Sequence, residues 1–261
     1  MKISIVIPSF NQGCFIEDTI KSILDQEYSD VEIIVIDGGS TDNSVDIIKK
    51  YEKHLSYWIS EKDLGQSHAI IKGLKIAKGE IFAWQNSDDK YLPGTFNFIS
   101  DVFKNNSNID LVFGGWNFID SDGKFISLRN LNNYSLKKLR AGFLVPPQPS
   151  VFFRNAAINK AGGPNIEKRQ VMDYELYIKI ATENNVFVTP KILGEFRIHK
   201  MSKTISAKKE QVRELKETRN CILSNCSISD KIFWQLSDII EAAKDFTHSK
   251  FGVFSLRDLL K

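Results

Sequence analysis

The residues most able to do chemistry in this 261-residue chain are Asn86-Ser87-Asp88-Asp89, a polar run that follows the apolar stretch 81–85. Adjacent carboxylates repel, so such a pair is costly unless a cation or hydrogen-bond donors compensate. Oxygen donors suit Mg2+ or Mn2+, which take one or two carboxylates together with substrate phosphates. An isolated Asp-Asp is more often a turn, or a cap for a helix such as the one Pro93 opens. Context reverses that reading. Two other apolar stretches also end in polar groups, 31–36 in Asp37 and 3–7 in Pro8-Ser9-Phe10-Asn11, and strand ends of this kind converge on ligand crevices in open α/β sheets.

These residues need a scaffold, and its pattern is visible. Apolar runs of strand length (3–7, 31–36, 55–60, 81–85, 111–113) alternate with amphipathic, helix-length stretches (15–26, 43–53, 65–78, 93–104). That alternation predicts an α/β fold with a mostly parallel central sheet flanked by helices. Ser40, Thr41 and Asp42 are each competent to cap the second helix. Beyond Gly115 the rhythm turns antiparallel, with Asp122-Gly123 as a hairpin turn between 117–120 and 124–128. A helix over 173–183 and strands at 186–188 and 192–198 follow. Residues 206–261 read as a helical C-terminal appendage, so the expected domains are 1–205, divided into halves at 115/116, and 206–261.

Composition limits the function classes. A 42% hydrophobic content in 261 residues supports a full core without disulfides. Thirty-five basic against 32 acidic residues give a formal charge of +3, too balanced for nucleic acid as the partner. Three scattered cysteines without metal-ligand spacing favour a reducing, cytoplasmic setting. The N-terminus enters a strand rather than a signal peptide, and no run approaches the roughly 18 apolar residues needed to span a bilayer. Membrane contact is then peripheral, at the inner face. The mixed charges of the appendage, Lys208-Lys209 and Lys216-Glu217 among them, and its apolar tail (Phe251, Val253, Phe254, Leu256, Leu259, Leu260) fit either packing on the main domain or docking on an anionic membrane.

The loop after the first strand lacks both a Gly-x-Gly-x-x-Gly pattern and a Gly-x-x-x-x-Gly-Lys-Ser/Thr phosphate loop. Instead Val6-Ile7-Pro8-Ser9-Phe10-Asn11, Val35-Ile36-Asp37-Gly38-Gly39-Ser40-Thr41-Asp42, and Gly79-Glu80-Ile81 leading to Asn86-Ser87-Asp88-Asp89 together resemble the family 2 glycosyltransferases over roughly the first 200 residues. The resemblance implies the GT-A fold, an inverting mechanism and a nucleoside diphosphate sugar donor. By position it implies that Pro8, Ser9 and Asn11 lie along the nucleotide, that Asp37 meets a uracil-like base edge, and that Asp63, Gly65 and Gln66 close on base and ribose. Asp88 would face ribose or metal, and Asp89 would hold the Mn2+ or Mg2+ that bridges the diphosphate. Asn86 replaces the first aspartate of the usual Asp-x-Asp, and Gly38 stands where relatives often carry a second aspartate.

The same resemblance makes Asp173, in Val171-Met172-Asp173-Tyr174-Glu175-Leu176, the catalytic base, with Glu175 as the secondary candidate. An inverting displacement needs such a carboxylate to take the acceptor hydroxyl's proton; otherwise Asp173 caps its helix. Phe196-Arg197-Ile198-His199 resembles a late family motif in which the histidine, here His199, completes the metal shell or touches the diphosphate, and Arg197, Lys200 and Lys203 beside it would suit an anionic diphosphate. Gln148, in a Pro-restricted segment, and Trp116 are acceptor-side candidates; Trp84 and His68 read as structural. The expected reaction is transfer from a sugar nucleotide, a UDP-sugar preferred, to a hydroxyl of a glycan or lipid-linked saccharide in cell-surface polysaccharide synthesis. Two alternatives stand beside it. A nucleotidyltransferase shares the sheet and metal, but its basic phosphate loop is missing from Ser9-Phe10-Asn11-Gln12-Gly13. A non-catalytic sugar-nucleotide-binding protein would tolerate Asn86 and Gly38 but has no use for Asp173.

Overall fold

The computed structural model describes residues 1–142, 145–182, 184–202 and 207–224. In chain order the elements are β1 (Ile3–Ser9), α1 (Ile16–Leu24), β2 (Val31–Asp37), α2 (Ser44–Lys50), β3 (Tyr57–Ser60), α3 (Gln66–Ile76), β4 (Ile81–Trp84), β5 (Lys90–Tyr91), α4 (Thr95–Asn105), β6 (Leu111–Ile119), β7 (Phe125–Arg129), α5 (Leu136–Arg140), β8 (Val151–Arg154), α6 (Asn155–Ala161), α7 (Met172–Ile180), β9 (Val186–Arg197) and α8 (Lys208–Ser224). The chain falls into two units, Met1–Leu215 and Lys216–Lys261, and among the described residues every strand belongs to the first. Phe233, Leu236, Ile240 and the apolar tail from Phe251 onward lie outside the described residues. Among the described residues no helix is long and apolar enough to cross a membrane.

The strands form one nine-stranded sheet in the order β3-β2-β1-β4-β8-β6-β9-β5, with β7 paired to β6 off that path. β3, β2, β1 and β4 are mutually parallel. β8 is antiparallel to both β4 and β6, whereas β9 runs parallel to β6 and carries β5 antiparallel on its far side. β1 and β4 are buried along their whole length, which is why both read as continuous apolar runs: helices cover each face. Alternation assigns the faces. Val6, Ile34, Trp84 and Phe153 share one core with Ile70, Leu74 and Tyr177; Ile5, Ile7, Ile33 and Phe152 share the other with Ile20, Phe96 and Ile99.

The second half departs from the expected segmentation. β6 runs straight through Gly114-Gly115, where a break was expected, and β9 is one strand across Pro190. The two irregularities answer each other. A Cβ on Gly114 would lie 2.3 Å from Leu193 Cδ1 and one on Gly115 2.6 Å from Ile192 Cδ1, so the bare backbone lets β9 close on β6. Register then jumps from Phe113↔Val188 to Gly115↔Ile192, and the slack in β9 holds the proline, which has no ladder donor to give. The Asp122-Gly123 turn is present: Gly123 takes φ 81 and the Asp120 amide donates to Lys124 O at 2.9 Å. α5, α6 and the two-residue β5 had no periodic signal of their own.

One side chain at the end of β9 ties these parts together. Arg197, 1% exposed, donates from Nε to Asp88 O (2.8 Å), from Nη1 to Ser121 O (3.0 Å) and from Nη2 to Asp18 Oδ2 (3.2 Å). Its guanidinium sits 5.0 Å from the centre of the Phe15 ring, and its backbone N–H donates to Asp89 Oδ1 at 2.9 Å. The loop after β4, the β6–β7 hairpin and α1 are thus joined through one cation. The expectation that Arg197 faces a diphosphate gives way to this inward, carbonyl-saturated placement; Lys203 lies outside the described residues.

Two stability predictions follow from this packing. Arg197→Met should cost about 3–5 kcal/mol, as expected when a buried charge network loses its centre, and Arg197→Lys should recover only part because an ammonium cannot span the fork. Equal urea midpoints for all three proteins would contradict this role. Gly73→Ala should destabilise as well, although alanine is the better helix former by about 1 kcal/mol. Its Cβ would lie 2.5 Å from Val6 Cγ1 in a fully buried strand, and overpacking of that kind costs about 1–3 kcal/mol.

Candidate active site

The carboxyl ends of β1, β2 and β4 lie side by side, as the parallel order requires, and their loops are laced together. Ser9 is buried and its carbonyl accepts from Gly38 N at 2.8 Å. Asn11, held at φ 51, donates from its backbone to Ser40 Oγ (2.7 Å) and accepts from Thr41 N at Oδ1 (2.8 Å). Asp42 rather than Ser40 serves the start of α2: Oδ1 accepts from Ser44 N at 3.0 Å and Oδ2 from Gly13 N at 2.9 Å.

Asp37 is fully buried and takes four donors: Gly39 N (3.1 Å), Ser40 N (2.8 Å), Ser40 Oγ (2.6 Å) and Ser60 Oγ (2.7 Å). Its carboxylate therefore shapes the Gly38–Ser40 turn. The neighbouring carboxylate is Asp63, whose Oδ1 accepts from Gly65 N at 2.7 Å and whose Oδ2 lies 3.0 Å from where a Cβ on Gly38 would stand. Absence of a side chain at residue 38 is what lets Asp63 come this close. Gly65, at φ 109, then delivers Gln66 as the first residue of α3.

Past β4 the two aspartates part. Asp89 is 1% exposed; Oδ1 accepts from Arg197 N (2.9 Å) and Oδ2 from Asn86 Nδ2 (3.1 Å), and its carbonyl accepts from Thr19 Oγ1 (2.8 Å). Burial first, and then the charge of Asp88, push the Asp89 carboxyl well above the usual carboxylate range, against the pull of those donors. Asp88 instead meets His199, with Oδ2 to Nε2 at 2.9 Å. Two donors each about 2.1 Å from an octahedral cation and at right angles are about 3.0 Å apart, so this spacing suits adjacent positions on one divalent ion. The carboxylate oxygen suits Mg2+ or Mn2+, whereas an imidazole nitrogen is a ligand for transition ions and so favours Mn2+ of the two. Among the described residues no third His, Cys, Asp or Glu completes a metal-holding group.

The second half brings Asp173 to the same crevice. It sits in the first turn of α7, and its Oδ2 accepts from Gln148 Nε2 at 2.7 Å. Gln148 in turn accepts at Oε1 from Asn86 Nδ2 (3.1 Å), and Asn86 Oδ1 accepts from Gln66 Nε2 (2.6 Å). The entry to α7 is held from α8: Glu214 accepts from Arg169 N (3.2 Å), Gln170 N (2.9 Å) and Val171 N (3.3 Å), a carboxylate at the positive end of a helix. Glu175 is turned to Asn165 and Lys179. Trp116 is 6% exposed against Phe118, and Trp84 stacks on Phe153 in the core; His68 accepts from Leu64 N. Sequence reasoning missed Glu214, which carries no local signal, and the inward task of Arg197.

The comparisons with known proteins bear on the family and the fold. The family model for glycosyl transferase family 2 matches residues 4–162. An uncharacterized glycosyltransferase of Rickettsia conorii is 30% identical over 231 residues, covering 82% of this chain, which spans 37% of that protein's length. An uncharacterized glycosyltransferase of Nostoc sp. is 29% identical over 171 residues, covering 61% of this chain and 53% of its own. Among solved structures, S. aureus TarS in complex with UDP-GlcNAc superposes with a TM-score of 0.70 at 17% identity, over 88% of this chain and 69% of that one. The mannosyltransferase PcManGT of Pyrobaculum calidifontis, in complex with GDP-Man and Mn2+, gives 0.61 at 14% identity, over 92% and 80%. With the GT-A architecture shared and the family match covering more than half of the sequence, this chain belongs to glycosyltransferase family 2.

Proposed function

We propose that the chain transfers a sugar, with inversion, from a nucleoside diphosphate donor to a hydroxyl of a glycan or lipid-linked saccharide. A UDP-sugar is the preferred donor. The observation that carries this reading is the convergence of two acidic sites on one crevice: Asp88 with His199 on one side, Asp173 on the other, joined through Asn86 and Gln148. The relatives' family and the sugar nucleotides named with the structural neighbours support it from outside the chain. Residues 1–205 form the catalytic part in this reading. The cellular setting, cytoplasmic and at the inner face of the membrane in surface polysaccharide synthesis, is part of the proposal.

Each group has a separate task. Pro8, Ser9 and Asn11 line the nucleotide, with Asp63, Gly65 and Gln66 closing on base and ribose; Asp37 supports the base edge through the turn it organises. Asp88 and His199 would hold the divalent cation; Asp89, expected from the sequence as its ligand, is 1% exposed with its oxygens taken by Arg197 N and Asn86 Nδ2, and in this reading it sets the loop that presents Asp88. When bound, Mn2+ or Mg2+ supplies charge stabilisation for the departing diphosphate. Asp173 accepts the acceptor's hydroxyl proton as that oxygen attacks the anomeric carbon, so proton removal and leaving-group stabilisation come from opposite walls.

A thermal-shift panel of UDP, GDP and their sugars with and without Mn2+ tests the donor side, because a ligand of the native state raises its stability by mass action. A metal-dependent shift with one nucleoside diphosphate is expected, and it should vanish in Asp88→Asn and His199→Ala; no response to any nucleotide would overturn the reading. On the acceptor side, Asp173→Asn should lower transfer by at least about 100-fold, the usual scale for a general base, with the nucleotide shift intact. Undiminished transfer by that variant would remove the base assignment.

A further inference from the structure

Asn86 is the position where the chain departs from the Asp-x-Asp pattern, and the structure gives that amide a task no carboxylate can perform. Its oxygen and both its N–H groups are in use: Oδ1 accepts from Gln66 Nε2 (2.6 Å), while Nδ2 donates to Asp89 Oδ2 (3.1 Å) and to Gln148 Oε1 (3.1 Å). Gln148, 7% exposed, passes the direction on by donating from Nε2 to Asp173 Oδ2 at 2.7 Å. An amide that gives its NH2 to Asp173 must offer its oxygen to Asn86, and Asn86 then turns its own NH2 toward Gln148, so both NH2 groups point one way. Gln66 supplies the remaining donor. Flipping either amide would set oxygen against oxygen.

Resting on the transfer reading, in which Asp173 is the base, we propose that Asn86 and Gln148 are positioning residues, a one-directional amide relay that fixes Asp173 relative to the acidic loop presenting Asp88. The relay joins the two halves of the site, since Asn86 and Asp89 follow β4 in the nucleotide half whereas Gln148 and Asp173 belong to the acceptor half. General-base chemistry depends on the carboxylate standing within hydrogen-bond reach of one hydroxyl, and a misplacement of about 1 Å costs on the order of 100-fold. The neutral amide at residue 86 is therefore required here. An aspartate in its place has the same shape but no donor, and it would face Asp89 Oδ2 and Gln148 Oε1 with a third acceptor.

This makes a prediction opposite in sign to the view that Asn86 is a weakened metal ligand. The unsubstituted full chain, Asn86→Asp and Gln148→Met are assayed for release of UDP from UDP-GlcNAc and of GDP from GDP-mannose with Mn2+, alongside Mn2+-dependent binding of UDP and GDP. Both substitutions conserve volume, and thermal midpoints report whether the fold is kept. The relay predicts that both variants lose at least about tenfold in kcat, the effect of one hydrogen bond to a charged group, with KM and nucleotide affinity within about threefold. Gln148→Glu, which keeps the shape but loses the donor to Asp173, should fall with them. If Asn86→Asp binds Mn2+ more tightly and turns over faster, or if kcat is unchanged in Gln148→Met and Gln148→Glu, the relay is wrong. If the unsubstituted chain neither binds nor turns over any of these nucleotides, the transfer reading fails and takes the relay's catalytic role with it, an outcome separate from an active parent with indifferent variants.

Discussion

The guanidinium of Arg197 is the interaction on which the site's geometry hangs. A cation that is 1% exposed keeps its place only if its donors are met, and here they are met by Asp88 O, Ser121 O and Asp18. Each partner comes from a different part of the chain: the loop after β4, the β6–β7 hairpin and α1. Thr19 Oγ1 adds a second tie between α1 and the loop, through Asp89 O. The same residue's backbone N–H reaches Asp89, so the last residue of β9 grips the acidic loop twice, once through the main chain and once through the side chain.

That grip resolves an electrostatic conflict. Two adjacent carboxylates at one strand end repel, and the fold separates their roles by direction. Asp89 is drawn inside, where desolvation and its neighbour's charge raise its proton affinity and backbone and amide donors partly offset the cost. Asp88 is left to meet His199. A comparable division governs the end of β2, where Asp37 is consumed by the turn it organises and Asp63 stands beside the space that Gly38 leaves open. In each pair one carboxylate builds the wall and the other faces what the wall encloses.

The second half is assembled by different means. Its strands are antiparallel or irregular, and its key residue sits on a helix that two distant groups hold in place: Gln148 from the short turn before β8, and Glu214 from α8, which takes three N–H groups ahead of α7. The second of these makes the start of α8 part of the site's support, although it comes some forty residues after Asp173 in the sequence.

The sequence by itself determined the parallel half, because strands buried on both faces must be apolar throughout and helices between them must be amphipathic; residues 1–105 were legible for that reason. It also determined which residues cluster at the strand ends, since parallel order brings the carboxyl ends of β1, β2 and β4 together once those strands are recognised. The second half resisted. Gly114-Gly115 and Pro190 look like breaks when read locally, and only the pairing of β6 with β9 turns them into a matched close approach and bulge. Which of two adjacent aspartates faces inward, that Arg197 serves carbonyls rather than a phosphate, and that Asn86 must donate twice were decided by tertiary structure alone. A residue's type fixes how many hydrogen bonds it can make, but most of the partners come from segments 20 to 179 residues away, and no local pattern records them.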